Sequence, residues 1–257
     1  MKRITVLFVS LLATLNCFAW GQKGHDVVAY IAECHLTPTA AQRVAEVLGG
    51  RSLVYYANWM DNASNTPEYA YSKTWHYMNI DEGETLDSQP RNPKGDALTA
   101  IAGIVKGIEK GKLSDKEHFD QLRMLIHLMG DIHCPMHAGR STDLGGNRVP
   151  VIYFNRETNL HSIWDTALVE SAHNWSYSEW QWNIDRVTDE FAQQVQQGSV
   201  EEWFEQTVRI AKRIYEVTPE GTKVSYDYLN AMTPVIEQQL LFGGLRLAGM
   251  LNALYGE

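Results

Sequence analysis

The side chains best suited to metal chemistry lie between residues 127 and 165. His127 and Asp131 are four residues apart in the apolar segment QLRMLIHLMGDIHC, so they share one face of a helix, and a proline then lets His137 reach back. His161 and Asp165 repeat the four-residue spacing in NLHSIWDTALVESA. Because neutral imidazole and carboxylate are the ligands of catalytic zinc, this spacing predicts a metal site. Purely structural or acid–base His–Asp pairs are the alternative that spacing alone leaves open.

Other histidines lack a carboxylate at a helical ligand spacing. Of the nine in the chain, the four interpreted as surface or core residues are His35, His118, His133 and His173. His133 stands between two candidate ligands, but it is two positions from Asp131 and therefore faces away from it on a helix.

The apolar periodicity predicts a mainly α fold with a minor β-hairpin. Helical patterns begin near Gly24 and Pro38, recur over residues 97–108, 118–132 and 159–172, and continue from residue 178 to the last segment, Tyr226 to Tyr255. The short segment TWHYMNI around His76 reads as extended, and residues 81–96 read as a loop. VPVIYF (149–154) is the convincing strand, and we expect it to form a hairpin with little else.

Residues 1–19 have the pattern of a cleaved secretory signal: Lys2 and Arg3, a short apolar run, and Ala19 before Trp20. Lipidation at Cys17 is a weaker alternative, since the preceding residues match a lipoprotein signal poorly. Residues 20–257, with 44% hydrophobic content in the whole chain, are long enough for one core, so we expect one domain. We expect a secreted or periplasmic monomer without stable membrane association.

The mature chain would be acidic. Loss of Lys2 and Arg3 changes the formal net charge from −9 to −11, which disfavours long electrostatic tracking along duplex DNA more than it disfavours a metal-centred hydrolase. Two cysteines, Cys34 and Cys134, remain. They could form one disulfide or be two buried thiols.

Five motifs in a fixed order resemble one family. The motif H-x3-D-x3-P-x-H, then GGN and NLH-x2-WD, looks like the zinc-dependent, single-strand-specific nucleases and 3′-nucleotidases, the type I nucleases. Their mature chains begin with Trp and a nearby His, followed by W-x-D and an aromatic-flanked His. The corresponding residues here are Trp20 and His25, then Trp59-Met60-Asp61, then Trp75-His76-Tyr77. The resemblance implies a single-domain helical fold of the phospholipase C/nuclease type.

The resemblance further implies three zinc ions in one cleft. The first set of ligands would be Asp61, His76, His127 and Asp131. The second would be His25, Asp131 as a bridge, and the free amine and carbonyl oxygen of Trp20. The third would be His137, His161 and Asp165. A carboxylate can bridge two cations because it has two oxygens.

The implied reaction is hydrolysis of single-stranded nucleic acid, leaving 5′-phosphates, and of 3′-nucleotides. Asp61 would either orient the attacking water besides binding metal or serve as a metal ligand only. The resemblance places a base pocket at Tyr77, Asn79 and Asn147. Relatives carry a carboxylate where Asn79 stands, so base preference is in doubt, and many carry a basic residue near Asn62 to Ser64 that is missing here.

Two other classes fit part of the pattern. Bacterial zinc phospholipases C resemble this fold and also begin with Trp, but they commonly have Glu where this chain has Asp165, and GGN with the Trp-His-Tyr segment favours the nuclease branch. A non-enzymatic, zinc-stabilised secreted module is less favoured, because closed structural sites prefer Cys ligands.

Overall fold

The computed structural model describes residues 20–256, so the expected signal peptide lies outside the described residues. Within that range the helices are α1 (Gln22–Cys34), α2 (Pro38–Val47), α3 (Leu53–Tyr56), α4 (Trp59–Ala63), α5 (Ala97–Glu109), α6 (Asp115–Asp131), α7 (Leu160–Ser162), α8 (Leu168–Ala172), α9 (Tyr177–Ile184), α10 (Asp189–Gln196), α11 (Val200–Val217) and α12 (Tyr226–Tyr255). Short 3-10 helices cover Ala70–Ser72, Pro135–Ala138 and Ser141–Asp143, and a π-helical turn, Ile163–Ala167, joins α7 to α8. The expected mainly α fold is confirmed.

Helix α6 lies at the centre of the fold. It begins with a capping box in which Ser114 accepts from the backbone N–H of Glu117 and the Glu117 side chain accepts from Ser114. Every residue from Leu122 to Asp131 is buried, and the helix packs against α1, α3, α4, α5 and α12. The two polar ligand candidates on its last turns are therefore enclosed by packed helices.

Helices α1 and α12 form the closest helix pair. A Cβ atom at Gly244 would lie 2.5 Å from the Ile31 side chain, so only glycine permits this approach. Helix α12 is 30 residues long and contains Pro234, as the sequence predicted. Among residues 20–256, none of the helices combines the length and apolar composition that a bilayer span requires.

The β structure is a three-stranded sheet rather than a hairpin alone. Strand β1 (Pro150–Tyr153) pairs antiparallel with β2 (Arg156–Asn159) through a tight turn whose two residues, Phe154 and Asn155, have positive φ. It also pairs in parallel with β3 (Lys223–Val224), giving the order β2-β1-β3. The expectation that the hairpin has little else beside it is corrected by β3.

Two helical patterns are interrupted. The pattern over residues 178–196 divides into α9 and α10, because the Thr188 side chain accepts from the backbone N–H of Phe191 and begins a new helix. The pattern over residues 160–172 contains the wider π-helical turn, which carries Asp165. Such turns are frequent at functional sites.

The segment around His76 turns and then runs extended without being a regular strand. Met78 and Ile80 donate their backbone N–H groups to the carbonyls of His137 (3.0 Å) and Gly139 (2.9 Å). These bonds hold His76 and His137 on neighbouring stretches of chain.

Candidate metal centre

Asp131 ends helix α6 and lies among four histidines, of which the farthest is His137, whose Nδ1 is 3.7 Å from Oδ1 of Asp131. Its Oδ2 is 3.3 Å from Nε2 of His127, one helical turn earlier, and 3.1 Å from Nδ1 of His76. Its Oδ1 is 3.4 Å from Nε2 of His25 on the first turns of α1. The two oxygens of one fully buried carboxylate therefore face different histidines.

Asp61, on the short helix α4, approaches the same cluster from the other side. Its Oδ1 lies 3.4 Å from Nε2 of His127 and 3.8 Å from Nδ1 of His76. The Asp61 carbonyl accepts from the side-chain amide of Asn65 at 2.9 Å, which fixes the backbone that carries the carboxylate.

The spacing of these atoms suits a metal ion. The ligand sets with atoms within 4.8 Å of one another are His25, His127 and Asp131; Asp61, His76 and His127; and Cys134, His137 and Asp165. Ligands about 2.0 Å from a tetrahedral ion are about 3.3 Å from each other. The shortest His–Asp separations within the first two sets, 3.3 to 3.4 Å, match that spacing, and His76 and Asp131, from different sets, are 3.1 Å apart.

Three histidines are oriented by backbone carbonyls. Nδ1 of His127 donates to the Ala57 carbonyl at 2.7 Å, and Nδ1 of His161 donates to the Gly145 carbonyl at 2.8 Å. Nδ1 of His137 donates to the carbonyl of His76 at 2.5 Å. Since a carbonyl cannot donate, Nδ1 carries the proton in the neutral form of each ring, and Nε2 then has the lone pair that a metal takes.

The third of these sets, formed by Cys134, His137 and Asp165, lies beside the first two. Nε2 of His137 is 4.0 Å from Oδ1 of Asp165, and the rings of His137 and His161 are stacked with centroids 5.3 Å apart. Cys134 belongs to this set, although the sequence reasoning considered it only as half of a disulfide or as a buried thiol. Its position between Asp131 and His137 was the signal that could have identified it.

Electrostatics keep both carboxylates ionised. Burial and the charge of His127 act in opposite directions on Asp61, and the net effect lowers the pKa of its carboxyl group. Burial likewise opposes the surrounding histidines at Asp131, whose pKa lies well below its usual value. Burial lowers the pKa of His127, but Asp131 and Asp61 outweigh it and raise that pKa to about 9. The cluster thus favours positive charge, which a metal cation would supply.

Unpaired polar atoms provide a separate test of fit. Among the described residues, the buried cluster atoms without a hydrogen-bond partner are both ring nitrogens of His25, Oδ1 of Asp61, Oδ1 of Asp131 and Nε2 of His76. Such atoms are costly in a protein interior. Coordination of a cation would remove part of that cost, and the nitrogen and oxygen donors fit zinc.

Trp20 is fully buried next to the start of α1. A Cβ atom at Gly24 would lie 2.9 Å from Cβ of Trp20. Gly21, the residue after Trp20, donates its N–H to the Asp165 carbonyl at 2.5 Å. The predicted end of the mature chain is therefore held beside a residue of the third set. Coordination by the Trp20 amine stays a prediction.

A cavity of about 180 Å³ adjoins His161, a predicted ligand of the third zinc ion. Its lining consists of Tyr77, Asn79, Met136, Leu144, Gly145, Asn147 and His161. It brings the three predicted base-binding residues together with a predicted metal ligand. Leu144 and Met136 were not predicted, because apolar side chains in a loop carry no distinctive signal.

Asn79 is tied to the protein backbone. Its side-chain amide donates to the carbonyl of Gly139 at 2.9 Å and to that of Arg140 at 3.4 Å. A carboxylate could make neither bond. The amide of Asn79 therefore holds its own segment against the chain segment that follows His137.

The four histidines assigned no metal role have other partners. Nε2 of His35 lies 2.9 and 3.0 Å from the Asp185 oxygens, and Nε2 of His118 lies 2.8 Å from the hydroxyl of Tyr255. His173 contacts Glu237 at 2.7 Å. Buried His133 lies between the Met129 carbonyl and Arg246.

The cysteines do not pair with each other. Cys34 is exposed and Cys134 is buried, and both are free thiols. Burial and the charge of Asp165 raise the pKa of the Cys134 thiol well above its usual value.

The helical fold and its buried cluster of imidazole and carboxylate groups are those of a metal-dependent hydrolase. Residues 20–256 match the S1/P1 nuclease family model, and the chain belongs to this family of nucleases. The family resemblance found from the motifs is thereby confirmed. The chain is a hydrolytic nuclease, and nucleic acid is its class of substrate.

Relatives from plants and fungi align with nearly the whole chain. Endonuclease 2 of Arabidopsis thaliana is 28% identical over 274 residues, covering 96% of this chain and 94% of that protein. Nuclease P1 of Penicillium citrinum is 27% identical over 267 residues, covering 92% and 98%. Nuclease S1 of Aspergillus oryzae is 24% identical over 289 residues, covering 99% and 98%.

Proposed function

We propose that this chain is a zinc-dependent phosphodiesterase that hydrolyses single-stranded DNA and RNA to products with 5′-phosphates. It also removes the phosphate from 3′-nucleotides. The observation that carries the proposal is the position of Asp131, whose two oxygens face His25 on one side and His76 and His127 on the other. A carboxylate so placed can hold two cations close together while offsetting part of their repulsion.

Three zinc ions are proposed to share the cleft. The first is held by Asp61, His76, His127 and Asp131, the second by His25, Asp131 and the amine and carbonyl of Trp20, and the third by His137, His161 and Asp165. When bound, zinc supplies the Lewis acidity that makes water nucleophilic at neutral pH and offsets the negative charge on phosphate oxygens.

Asp61 is the proposed catalytic residue. Its pKa is lowered, so the carboxylate accepts a hydrogen bond at neutral pH, and its Oδ1 has no hydrogen-bond partner among residues 20–256. From this position Asp61 orients the attacking water towards phosphorus. The contact from Asn65 to the Asp61 carbonyl keeps the side chain in place.

The adjoining cavity is proposed to hold a nucleobase. Tyr77 stacks against the base, and Asn79 and Asn147 contact its polar edge. His161 lies both in this cavity and in the proposed third ligand set, so a base there places its phosphate towards the zinc ions. A nucleic acid strand within a duplex has its bases paired and stacked, so it cannot place an unpaired base in this cavity. The cavity therefore accounts for a preference for single strands.

The mature protein is proposed to act outside the cytoplasm as a monomer, without stable membrane association. The pattern of residues 1–19 supports export. This assignment matters for the metal site, because removal of the signal at Ala19 would create the Trp20 amine.

The test is a substrate panel assayed with purified protein before and after chelation. Single-stranded DNA, RNA and a 3′-mononucleotide should be hydrolysed, duplex DNA much more slowly, and phosphatidylcholine not at all. Activity should disappear with chelator and return with zinc, and metal analysis should find three ions.

Different results would identify different errors. Hydrolysis of phosphatidylcholine in preference to nucleic acid would favour the phospholipase C alternative. Zinc without hydrolysis of any substrate would favour a zinc-stabilised module. Full nuclease activity in chelator, with one ion or none, would refute the zinc mechanism.

A further inference from the structure

Cys134 stands next to the proposed third zinc ion. Its thiol is fully buried, and Sγ lies 4.0 Å from Oδ1 of Asp165. Sγ, a ring nitrogen of His137 and a carboxylate oxygen of Asp165 all lie within 4.8 Å of one another. The thiol therefore faces the same point as two proposed ligands of that ion.

These distances are close to those of a mixed sulfur, nitrogen and oxygen site. For a tetrahedral zinc ion about 2.3 Å from sulfur and about 2.0 Å from nitrogen or oxygen, the sulfur is about 3.5 Å from a neighbouring ligand atom, and a nitrogen and an oxygen are about 3.3 Å apart. The observed Cys134–Asp165 and His137–Asp165 separations are both 4.0 Å. Movements of about 0.5–0.7 Å would bring the ligand atoms to these spacings.

Backbone contacts account for only part of the surroundings of the thiol. Cys134 precedes the 3-10 helix Pro135–Ala138, and the backbone N–H groups of Met136 and His137 act on its sulfur. It forms no disulfide, since Cys34 is an exposed free thiol elsewhere. Its side-chain hydrogen-bond partner within the described part of the chain is the Asp165 carboxylate, itself a proposed ligand.

We infer that Cys134 is a further protein ligand of the third zinc ion, beside His137, His161 and Asp165. The inference rests on the three-zinc site proposed above. On binding, the S–H bond breaks, the proton goes to solvent and a sulfur–zinc bond forms. Zinc accepts a fifth ligand, so this set still admits a substrate oxygen.

A sulfur ligand changes the metal preference of this one position. Thiolate favours zinc and other soft ions, whereas imidazole and carboxylate alone also suit harder ions such as manganese. The third ion should be held more tightly than it would be by His137, His161 and Asp165 alone.

The test is absorption spectroscopy of the mature chain beginning at Trp20, freed of metal by chelation and then loaded with cobalt(II). A cobalt–thiolate bond gives a charge-transfer band in the near ultraviolet, whereas visible bands report bound cobalt whatever its ligands. The parent and a Cys34→Ser variant should show the near-ultraviolet band, and Cys134→Ser should lose it. Loading should also release about one proton fewer from Cys134→Ser than from the parent.

A second variant keeps the test decisive if Cys134→Ser folds poorly. The mature chain, which lacks Cys17, has two cysteines, so Cys34→Ser leaves Cys134 as its only thiol. This variant should retain the full band. Circular dichroism and the visible cobalt bands verify that each variant is folded and loaded.

The outcomes separate the two proposals. Visible cobalt bands without a charge-transfer band, in both the parent and the Cys34→Ser variant, would overturn the role of Cys134 and leave the nuclease site intact. A band lost on Cys34→Ser would assign it to the exposed thiol and also overturn the inference. Failure of the parent to bind cobalt or zinc would refute both the proposed function and the inference.

Discussion

The imidazole rings of His25 and His127 are stacked, with centroids 4.0 Å apart and ring planes at 14°. The rings come from different helices, and Gly130 makes their contact possible. A Cβ atom at Gly130 would lie 2.5 Å from Nδ1 of His25. Helix α6 therefore leaves space, one turn after His127, for the first turns of α1.

Gly130→Ala should displace His25 and weaken metal binding. Loss of such a supporting contact lowers metal affinity by about 10–100-fold. Overpacking should also cost about 1–3 kcal/mol of unfolding free energy. Zinc titration, nuclease assays and denaturant unfolding would measure these effects.

The matched control is Gly103→Ala on α5, where a new Cβ atom would meet nothing within 4 Å. Removing a glycine from an open helical position should stabilise the protein by about 0.5–1 kcal/mol and leave zinc binding unchanged. If Gly130→Ala behaved in the same way, the stacked arrangement would not depend on that space.

The spacing rules placed His127 and Asp131 together on α6, as the structure does, because helical periodicity is local. His127 and Asp131 are one turn apart in a segment whose apolar residues fix its buried position, so their common direction follows from the sequence. The same reasoning excluded His133, whose structural partners are Met129 and Arg246.

Contacts between distant segments could not be predicted in this way. Strand β3 has two residues and pairs with β1 about seventy positions earlier, so its sequence carries almost no periodic signal. The approach of Cys134 to Asp165 likewise depends on tertiary packing across the π-helical turn. The roles assigned to Trp20, Tyr77 and Asn147 came from family resemblance and stay predictions.

Tyr77→Ala should weaken nucleotide binding without changing the zinc content. Loss of base stacking costs about 1–3 kcal/mol, and Tyr77 lines the cavity beside the third ligand set. Isothermal titration of the zinc-loaded protein with a nucleoside monophosphate would measure the loss. Tyr71→Ala, which removes an exposed tyrosine outside this cavity, should have no effect. Equal affinities in both variants would remove Tyr77 from the base pocket.

Asn79→Asp tests the amide at a position where the family resemblance implies a carboxylate. The variant loses two hydrogen bonds to the carbonyls of Gly139 and Arg140 and sets a negative charge beside them, so unfolding free energy should fall by about 1–3 kcal/mol. We also expect its base preference to shift towards that of the family. Asn79→Ser keeps one donor and should lose less stability. Unchanged stability and base preference in Asn79→Asp would exclude both roles.

His35 should stabilise the protein in mildly acidic solution. Its hydrogen bond to Asp185 raises the pKa of the imidazole, so the protonated form favours the folded state. This contribution, about 1 kcal/mol, is complete below the unfolded pKa of about 6.5 and disappears as pH rises through the raised pKa. The pKa of Asp185 is lowered, so the pair persists until pH falls towards the carboxyl range.

The measurement is the unfolding free energy against pH for the parent and His35→Gln. The two curves should separate at about pH 5.5, below the ordinary pKa of histidine, and converge in alkaline solution. His118→Gln is a control of opposite sign. Burial lowers the pKa of His118, so its contribution is present above the unfolded pKa and lost as pH falls. Parallel curves for His35→Gln and the parent would contradict the assignment.

The last prediction concerns the amine of Trp20. If this amine binds zinc, the mature chain must begin at Trp20, because an extra residue converts the amine into an amide nitrogen of negligible basicity. An α-amino group has a pKa of about 7.7–8.0 and must lose its proton to bind, so zinc binding at this position should weaken in acid. The buried indole of Trp20 and the bond from Gly21 to the Asp165 carbonyl hold this end in place.

Two forms of the protein test this directly: one beginning at Trp20 and one with an uncleaved Met before it. The Met-extended form should lack one ion of the buried pair and most of the activity, while its helical content stays the same. N-terminal sequencing or intact mass identifies each form, and zinc analysis counts the ions. The amide nitrogen created by the extra residue cannot bind zinc as the amine would. Full zinc and full activity in the Met-extended form would therefore mean that Trp20 acts only as a buried aromatic.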